Sequence, residues 1–268
     1  MSLRALEPRE TFHPGIGPVE EATVLHVQQQ RLVERCLSTP IFSLWDIGLG
    51  AAANATAALR ALATSELPFH HTVHVHSFDK TLTPLEFALD NAEALAYPRG
   101  YEKQIRELLS KGRVRMSPQI VWELHLGDFS QTVKDLHVPA PNAIFFDPYS
   151  PIGNPDMWTL ETFKQLFARL NPEKTCLMTN YTRSTQARVA MLLAGFSVGI
   201  GCLVHQKDET TIASNDLEAL ERPLDRAWLE KRVRVSHNAA PLREAVYTLA
   251  PISEEDFDTL IALPQFRA

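Results

Sequence analysis

The sequence predicts an α/β fold built on a doubly wound, mostly parallel sheet, and three observations carry that prediction. Short apolar runs alternate with helical stretches from residue 41 to residue 214. Such a rhythm calls for crossover connections, which cover both faces of a parallel sheet. A glycine-bearing turn, Gly48-Leu49-Gly50, follows the first run. Finally, Asp46, Asp79, Asp128 and Asp147 each stand at the end of a predicted strand, on the carboxyl edge where such sheets bind ligands.

Taken in order, Val24, Leu25, Val27, Leu32 and Val33 have the spacing of a helix over 20–36. Residues 41–46 read as a buried strand and 51–64 as an alanine-rich helix. A second strand is expected over 71–78, then helices over 84–96 and 100–111, the latter amphipathic and charged. Strands over 121–126 and 143–146 run into Gly127-Asp128 and Asp147. A helix over 159–170, a strand over 175–179 and a helix over 184–193 follow. Residues 196–199 and 210–214 finish as a strand pair. The organisation expected is an N-terminal extension and helix over 1–40, the main domain over 41–216, and a C-terminal helical extension over 217–268 packed on it. The tail from Ile252 reads as a short acidic helix and an end segment.

Composition bounds the function. With 268 residues, 45% hydrophobic and 22% charged, the chain fits no collagen-like, disordered or membrane-spanning class. No N-terminal apolar run suits a secretory signal, and no segment approaches the ~18 apolar residues of a membrane span. Cys36, Cys176 and Cys202 are widely spaced and form no CxxC pair, as expected of reduced thiols. A cytoplasmic protein is expected. His70-His71-x-x-His74-x-His76 alternates as a strand would and lacks a HExxH or CxxC partner, so no metal is expected. Net charge −6 argues against non-specific coating of nucleic acid but leaves room for a local basic patch.

Four motifs carry chemistry. In Trp45-Asp46-Ile47-Gly48-Leu49-Gly50-Ala51-Ala52-Ala53-Asn54, the glycines let backbone approach a ligand. A dinucleotide loop would set a pyrophosphate on the helix N-terminus, and an acid at Asp46 would repel it. That acid suits a cationic ligand, such as the methionine moiety of S-adenosylmethionine. Asp79, with Lys80 beside it, ends the second strand where a carboxylate can accept ribose hydroxyls; the alternative is a cap on the helix that follows. Asp128 can accept an adenine amine with Phe129 flanking the ring, or serve as an N-cap. The fourth motif runs Phe145-Phe146-Asp147-Pro148-Tyr149-Ser150-Pro151-Ile152-Gly153-Asn154-Pro155-Asp156-Met157-Trp158. A rigid loop of this kind holds a substrate at little ordering cost. Its Asp-Pro-Tyr is similar to the Asp/Asn-Pro-Pro-aromatic loop of methyltransferases that act on amino nitrogens. The alternative is a structural turn around a buried Trp158.

With these pieces in order, the sequence resembles the methyltransferase domain of MnmC-type tRNA-modifying enzymes. WDIGLGAAANA, SFDKTLTPLEFAL, HLGDF and above all FFDPYSPIGNPDMWT carry the resemblance, which covers roughly residues 12–215. The family's first loop more often reads Glu-x-Gly-Phe-Gly-x-Gly-Leu-Asn. Asp46, Leu49, Ala52 and Ala53 are therefore departures, whereas Asn54 is retained.

The resemblance implies a Rossmann-like class I methyltransferase sheet of seven strands with an antiparallel C-terminal strand. It implies S-adenosylmethionine as methyl donor, bound through Asp46, Gly48, Gly50, Asn54, Asp79, Lys80, Asp128, Phe129 and Asp147. The acceptor implied is the aminomethyl group of a wobble uridine in the tRNA anticodon loop. Asp147 would orient the amine with Tyr149 beside it, and Pro148, Ser150, Asn154, Pro155, Trp158 and Arg183 would line the substrate side. The chain stops short of the flavin-dependent domain of bifunctional members, so no FAD step is expected. Arg222, Arg226, Lys231, Arg232, Arg234 and Arg243, with Trp228 and His237 interleaved, form a candidate tRNA patch over 222–243. Arg183 and Arg188 begin a second one. A small-molecule or protein amine as acceptor, and a non-catalytic cofactor-binding subunit, are the alternatives.

Overall fold

The computed structural model describes residues 17–135, 137–203 and 209–267. Its sheet contains strands β1 (Ile41–Ile47), β2 (Thr72–Asp79), β3 (Arg113–Arg115), β4 (Ile120–Leu126), β5 (Ala143–Phe146), β6 (Leu177–Asn180), β7 (Ser197–Ile200) and β8 (Thr211–Ser214). The order is β3-β4-β2-β1-β5-β6-β8-β7. The β1–β2, β2–β4, β1–β5 and β5–β6 pairs are parallel, and β6–β8, β7–β8 and β3–β4 antiparallel. The chain winds outward from β1 through β2 to β4, then returns to β5 on β1's other side. That reversal makes the carboxyl ends of β1 and β5 the switch point of a doubly wound sheet.

The sheet has eight strands, not the seven expected. The additional one is β3, three residues long and too short to leave a periodic signature. Gly112, at φ 70, ends the preceding helix and turns the chain back. Val114 is buried and pairs with Trp122 of β4.

Helices α1 (Pro18–Ala22), α2 (Leu32–Ser38), α3 (Ala53–Ala63), α4 (Thr83–Asp90), α5 (Ala92–Leu95), α6 (Glu102–Lys111), α7 (Phe129–Thr132), α8 (Leu160–Phe167), α9 (Thr185–Leu193), α10 (Arg226–Trp228) and α11 (Glu254–Ile261) surround the sheet. The helix expected over 20–36 is interrupted by a π-helical segment, Thr23–Gln28, and by Arg31 at φ 49. This interruption accompanies two buried polar side chains aimed at the sheet. His26 Nδ1 lies 2.8 Å from Thr179 Oγ1, and Gln30 Nε2 donates to Ile144 O at 2.9 Å and to Thr179 Oγ1 at 2.7 Å. The helix expected over 84–96 divides at Asn91 into α4 and α5.

Alternation along β1 divides the core. Phe42 and Leu44 pack with α3 residues such as Ala55 and Ala58, whose small side chains allow close approach to the sheet. Trp45 and Ile47 belong to the opposite face, with Phe146, Phe163, Leu229, Val233, Phe257 and Leu260. The C-terminal segment thus contributes to the same core as the strands. Arg188, expected at the surface, is instead fully buried on α9. Its guanidinium donates to Glu209 Oε1 at 2.8 Å, Thr211 Oγ1 at 2.9 Å and Thr210 O at 2.9 Å, so its charge is committed inside the protein. Among the described residues no helix is long and apolar enough to cross a membrane.

Candidate active site

The switch point brings the glycine turn and the Asp-Pro-Tyr loop into contact. Gly48 has φ 93, and a Cβ there would lie 2.6 Å from the Asp147 carbonyl oxygen and 2.9 Å from Pro148 N. Only glycine allows this approach. Gly48 N and Leu49 N both donate to Phe78 O, at 3.0 and 3.1 Å. Gly50 N, at φ 51, donates to Asp79 Oδ2 at 2.8 Å, while Thr81 N donates to Oδ1 at 3.1 Å. Asp79 therefore latches the end of β2 to the glycine turn and does not cap α4, whose N-cap position is Leu82. Burial pushes the Asp79 carboxyl upward against the opposing pull of backbone N–H groups from Gly50, Thr81 and Lys80.

Asp46 is fully buried, and Ser77 Oγ donates to its Oδ2 at 2.8 Å. Trp122 Nε1 in turn donates to Ser77 Oγ at 2.9 Å. The acid expected to meet an ammonium group is thus anchored within the sheet. Asn54, on the first turn of α3, is buried, and its Nδ2 donates to Asp147 Oδ2 at 2.8 Å. Its Oδ1 is buried with no hydrogen-bond partner among the described residues.

The loop after β5 is held from several sides. Asp147 N donates to Ile47 O at 2.9 Å, Tyr181 Oη to Pro148 O at 3.1 Å and Trp158 Nε1 to Tyr149 O at 2.7 Å. Ser150 O accepts from Asn154 N at 2.8 Å, and Pro155–Trp158 forms a 3-10 turn. Ser150, Asn154 and Pro155 are half-buried along this loop and Pro148 is buried. Trp158 is buried beneath the loop, edge-on to Phe146 and Tyr181. Phe129 is likewise buried, packed edge-on against Trp45 and Phe78. Arg183 is exposed just beyond β6.

A further link was not foreseen. Lys80 Nζ lies 2.9 Å from Asp128 Oδ2 and 2.7 Å from Asp156 Oδ2, joining the ends of β2 and β4 to the Asp-Pro-Tyr loop. Burial would lower the Lys80 ammonium, but hydrogen bonds to the two carboxylates raise it. Burial would raise Asp128, but Lys80 and Ser130 Oγ, at 2.7 Å from Oδ1, hold it below the usual range. Asp128 occupies the N-cap position of α7 without making a side-chain capping bond. Asp156 stands in the quoted motif, yet only the folded chain shows that it faces Lys80.

In the candidate patch, Arg226 pairs with Glu230, Arg234 with Glu254 and Arg243 with Asp256. Arg222 donates to Gly201 O at 2.5 Å. Lys231 and Arg232 are exposed and make no ion pair among the described residues. Trp228 is partly buried against the core.

This geometry can hold a cationic, ribose-bearing ligand at a glycine turn while presenting a carboxylate to a second molecule. Residues 98–216 match the family described as S-adenosyl-L-methionine-dependent methyltransferase. The tRNA 5-methylaminomethyl-2-thiouridine biosynthesis bifunctional protein MnmC of Paraburkholderia phymatum is 27% identical over 201 residues, 70% of this chain and 29% of the relative. Its counterpart in Ectopseudomonas mendocina is 28% identical over 203 residues, 70% of this chain and 30% of that protein. The match thus spans less than a third of those relatives' length. Among solved structures, MNMC2 from Aquifex aeolicus superposes with a TM-score of 0.72 at 24% identity, covering 97% of this chain and 78% of that one. The chain is thus similar to S-adenosyl-L-methionine-dependent methyltransferases over residues 98–216, to part of the MnmC proteins over 70% of its length, and to MNMC2 in fold.

Proposed function

We propose that the protein transfers a methyl group to the aminomethyl nitrogen of a modified wobble uridine in tRNA, converting 5-aminomethyl-2-thiouridine to 5-methylaminomethyl-2-thiouridine. The observation that carries this reading is the contact between the two loops. Asn54, next to the glycine turn, holds Asp147, and Gly48 lies against the Asp147 backbone. An acceptor amine at Asp147 is therefore held beside the cofactor loop.

The residues present fit S-adenosyl-L-methionine. Gly48 and Gly50 allow backbone approach, Asp79 stands where ribose hydroxyls are accepted, and Asp128 is suited to an adenine amine. The buried Asn54 Oδ1, with no partner among the described residues, is an acceptor suited to a cationic ligand. When bound, the cofactor supplies a methyl group on a sulfonium that departs as a neutral thioether. The chain's own part is positioning. Asp147 accepts a hydrogen bond from the amine and so turns its lone pair towards the methyl carbon, and Tyr149 flanks it. After transfer, the ammonium product is stabilised by the Asp147 carboxylate until it loses a proton to solvent. Ser150, Asn154 and Pro155 line the approach, with Arg183 at its rim. Lys231 and Arg232 offer the phosphate contacts of the anticodon stem-loop.

The test is incubation with labelled methyl donor and bulk tRNA from a strain lacking the modification, followed by nucleoside analysis. Label in the methylaminomethyl nucleoside is the expected outcome. Cofactor binding without labelled tRNA would move the acceptor to a small-molecule or protein amine.

A further inference from the structure

The geometry points to a transition-metal site on the sheet face shared by β2 and β4, with His74, His76 and Glu123 as its protein ligands. The register places His76 opposite Glu123 and Phe78 opposite His125. Because side chains two apart share a face, His74 and His76 of β2 stand beside Glu123 and His125 of β4. One donor atom from each of His74, His76 and Glu123 lies within 4.8 Å of the others. His76 Nδ1 is 3.3 Å, and His74 Nδ1 4.0 Å, from Glu123 Oε2. A tetrahedral ion with bonds of about 2.0–2.2 Å needs donors about 3.3–3.6 Å apart, so small rotamer adjustments close the set.

The surroundings suit such an ion. His76 is itself buried, and its Nε2 has no hydrogen-bond partner among the described residues, so the ring's polar compensation comes through Nδ1, which faces the cluster. His125 Nε2 shares a hydrogen bond of 3.0 Å with that Nδ1, a contact the ion would replace. Arg113 Nε reaches Glu123 Oε1 at 3.3 Å, fixing the carboxylate with its other oxygen towards the histidines. The side chains of His74 and Glu123 retain 27% and 22% exposure, which supplies an entry path. Two imidazoles and one carboxylate form a donor set suited to zinc and similar ions. His76 lies three residues before Asp79, about 10 Å along β2, so the site is separate from the carboxyl edge. An ion here ties β4 to β2.

The full chain, stripped with EDTA and dialysed, is titrated with Zn2+ by calorimetry and with Co2+ by visible absorption. One saturable ion per chain, four-coordinate Co2+ bands and a raised thermal midpoint are expected. Glu123→Gln and His74→Ala, both at partly exposed positions, should each weaken binding at least tenfold while circular dichroism and methyl transfer stay unchanged. Absence of saturable binding to the stripped wild-type chain overturns the site. So does unchanged affinity in both variants, which would assign the ion to other histidines.

Discussion

Asn54 Nδ2 donates to Asp147 Oδ2 at 2.8 Å, joining the first turn of α3 to the carboxylate proposed to hold the acceptor amine. A buried amide with one committed donor orients that carboxylate. The two residues are 93 positions apart in the chain. They belong to the two loops that meet at the switch point.

Asp147→Ala should abolish methyl transfer while leaving affinity for S-adenosylhomocysteine within a few-fold of wild type, measured by calorimetry beside a turnover assay. Full turnover in this variant would remove Asp147 from the reaction.

Asn54→Asp should place two carboxyl groups in contact. Like charges disfavour ionisation, so the first proton held by the pair binds more tightly and its apparent pKa rises. If the ionised Asp147 is the active form, the acidic limb of the kcat profile moves to higher pH. Asn54→Ala should lower kcat without that displacement. The pH–rate profiles of the two variants check the assignment.

Gly48→Ala should destabilise the protein by about 3 kcal/mol, combining a left-handed backbone penalty with overlap against the Asp147 and Pro148 backbone. Ala52→Gly should act in the opposite sense. Ala52 has φ 64 at a position where the resembling family more often has glycine. Relief of about 1–2 kcal/mol of left-handed strain exceeds the roughly 0.5–1 kcal/mol that glycine gives back through the unfolded chain. A gain of about 1 kcal/mol or less in urea unfolding is expected.

The central sheet was legible because β1, β2 and β5 spell out largely buried runs with an acid at or beside the carboxyl end, as Asp46 stands in Ile41–Ile47 before Gly48. Other features depend on partners distant in sequence. β3 exists because α6 ends at Gly112 and returns its chain to β4. Arg188 looks like a surface cation until Glu209 and the backbone of Thr210 are brought to it. His26 and Gln30 read as polar positions on a helix, but β5 and β6 draw them inward. In the site, the glycines and acids were visible as residue types. That Asp79 serves Gly50, or that Lys80 spans Asp128 and Asp156, is decided by loop geometry, which leaves no periodic trace.

Lys80→Met should mark the clasp between three loops. The raised Lys80 contributes stability that is fully present below its unfolded value and lost as pH rises through its folded one. The depressed Asp128 contributes stability that is present above its unfolded value, near about 3.9, and lost as pH falls through its folded value. The difference between wild type and variant should therefore hold across neutral pH and shrink towards both extremes. Both side chains are substantially exposed, so the difference should stay below about 1 kcal/mol. Urea unfolding at several pH values tests the sign. A larger effect is expected on the KM for the cofactor, because the clasp orders Asp128.

A chain of net charge −6 can hold a polyanion only through a local surface, and most cations of the 222–243 segment are already engaged. Lys231 and Arg232 are the exposed cations there whose side chains make neither an ion pair nor a hydrogen bond among the described residues, whereas Arg222 is held by Gly201 O, so the first two should carry the phosphate contacts. Replacing both with alanine should weaken tRNA binding and flatten its dependence on salt, by roughly one unit of slope for each phosphate no longer neutralised. Arg243→Ala, which removes a cation already paired with Asp256 at 2.7 Å, should change that slope less. Filter binding across a salt series separates the two. Equal slopes in wild type and the double variant would place the tRNA on another face, with exposed Arg183 the first position to test there.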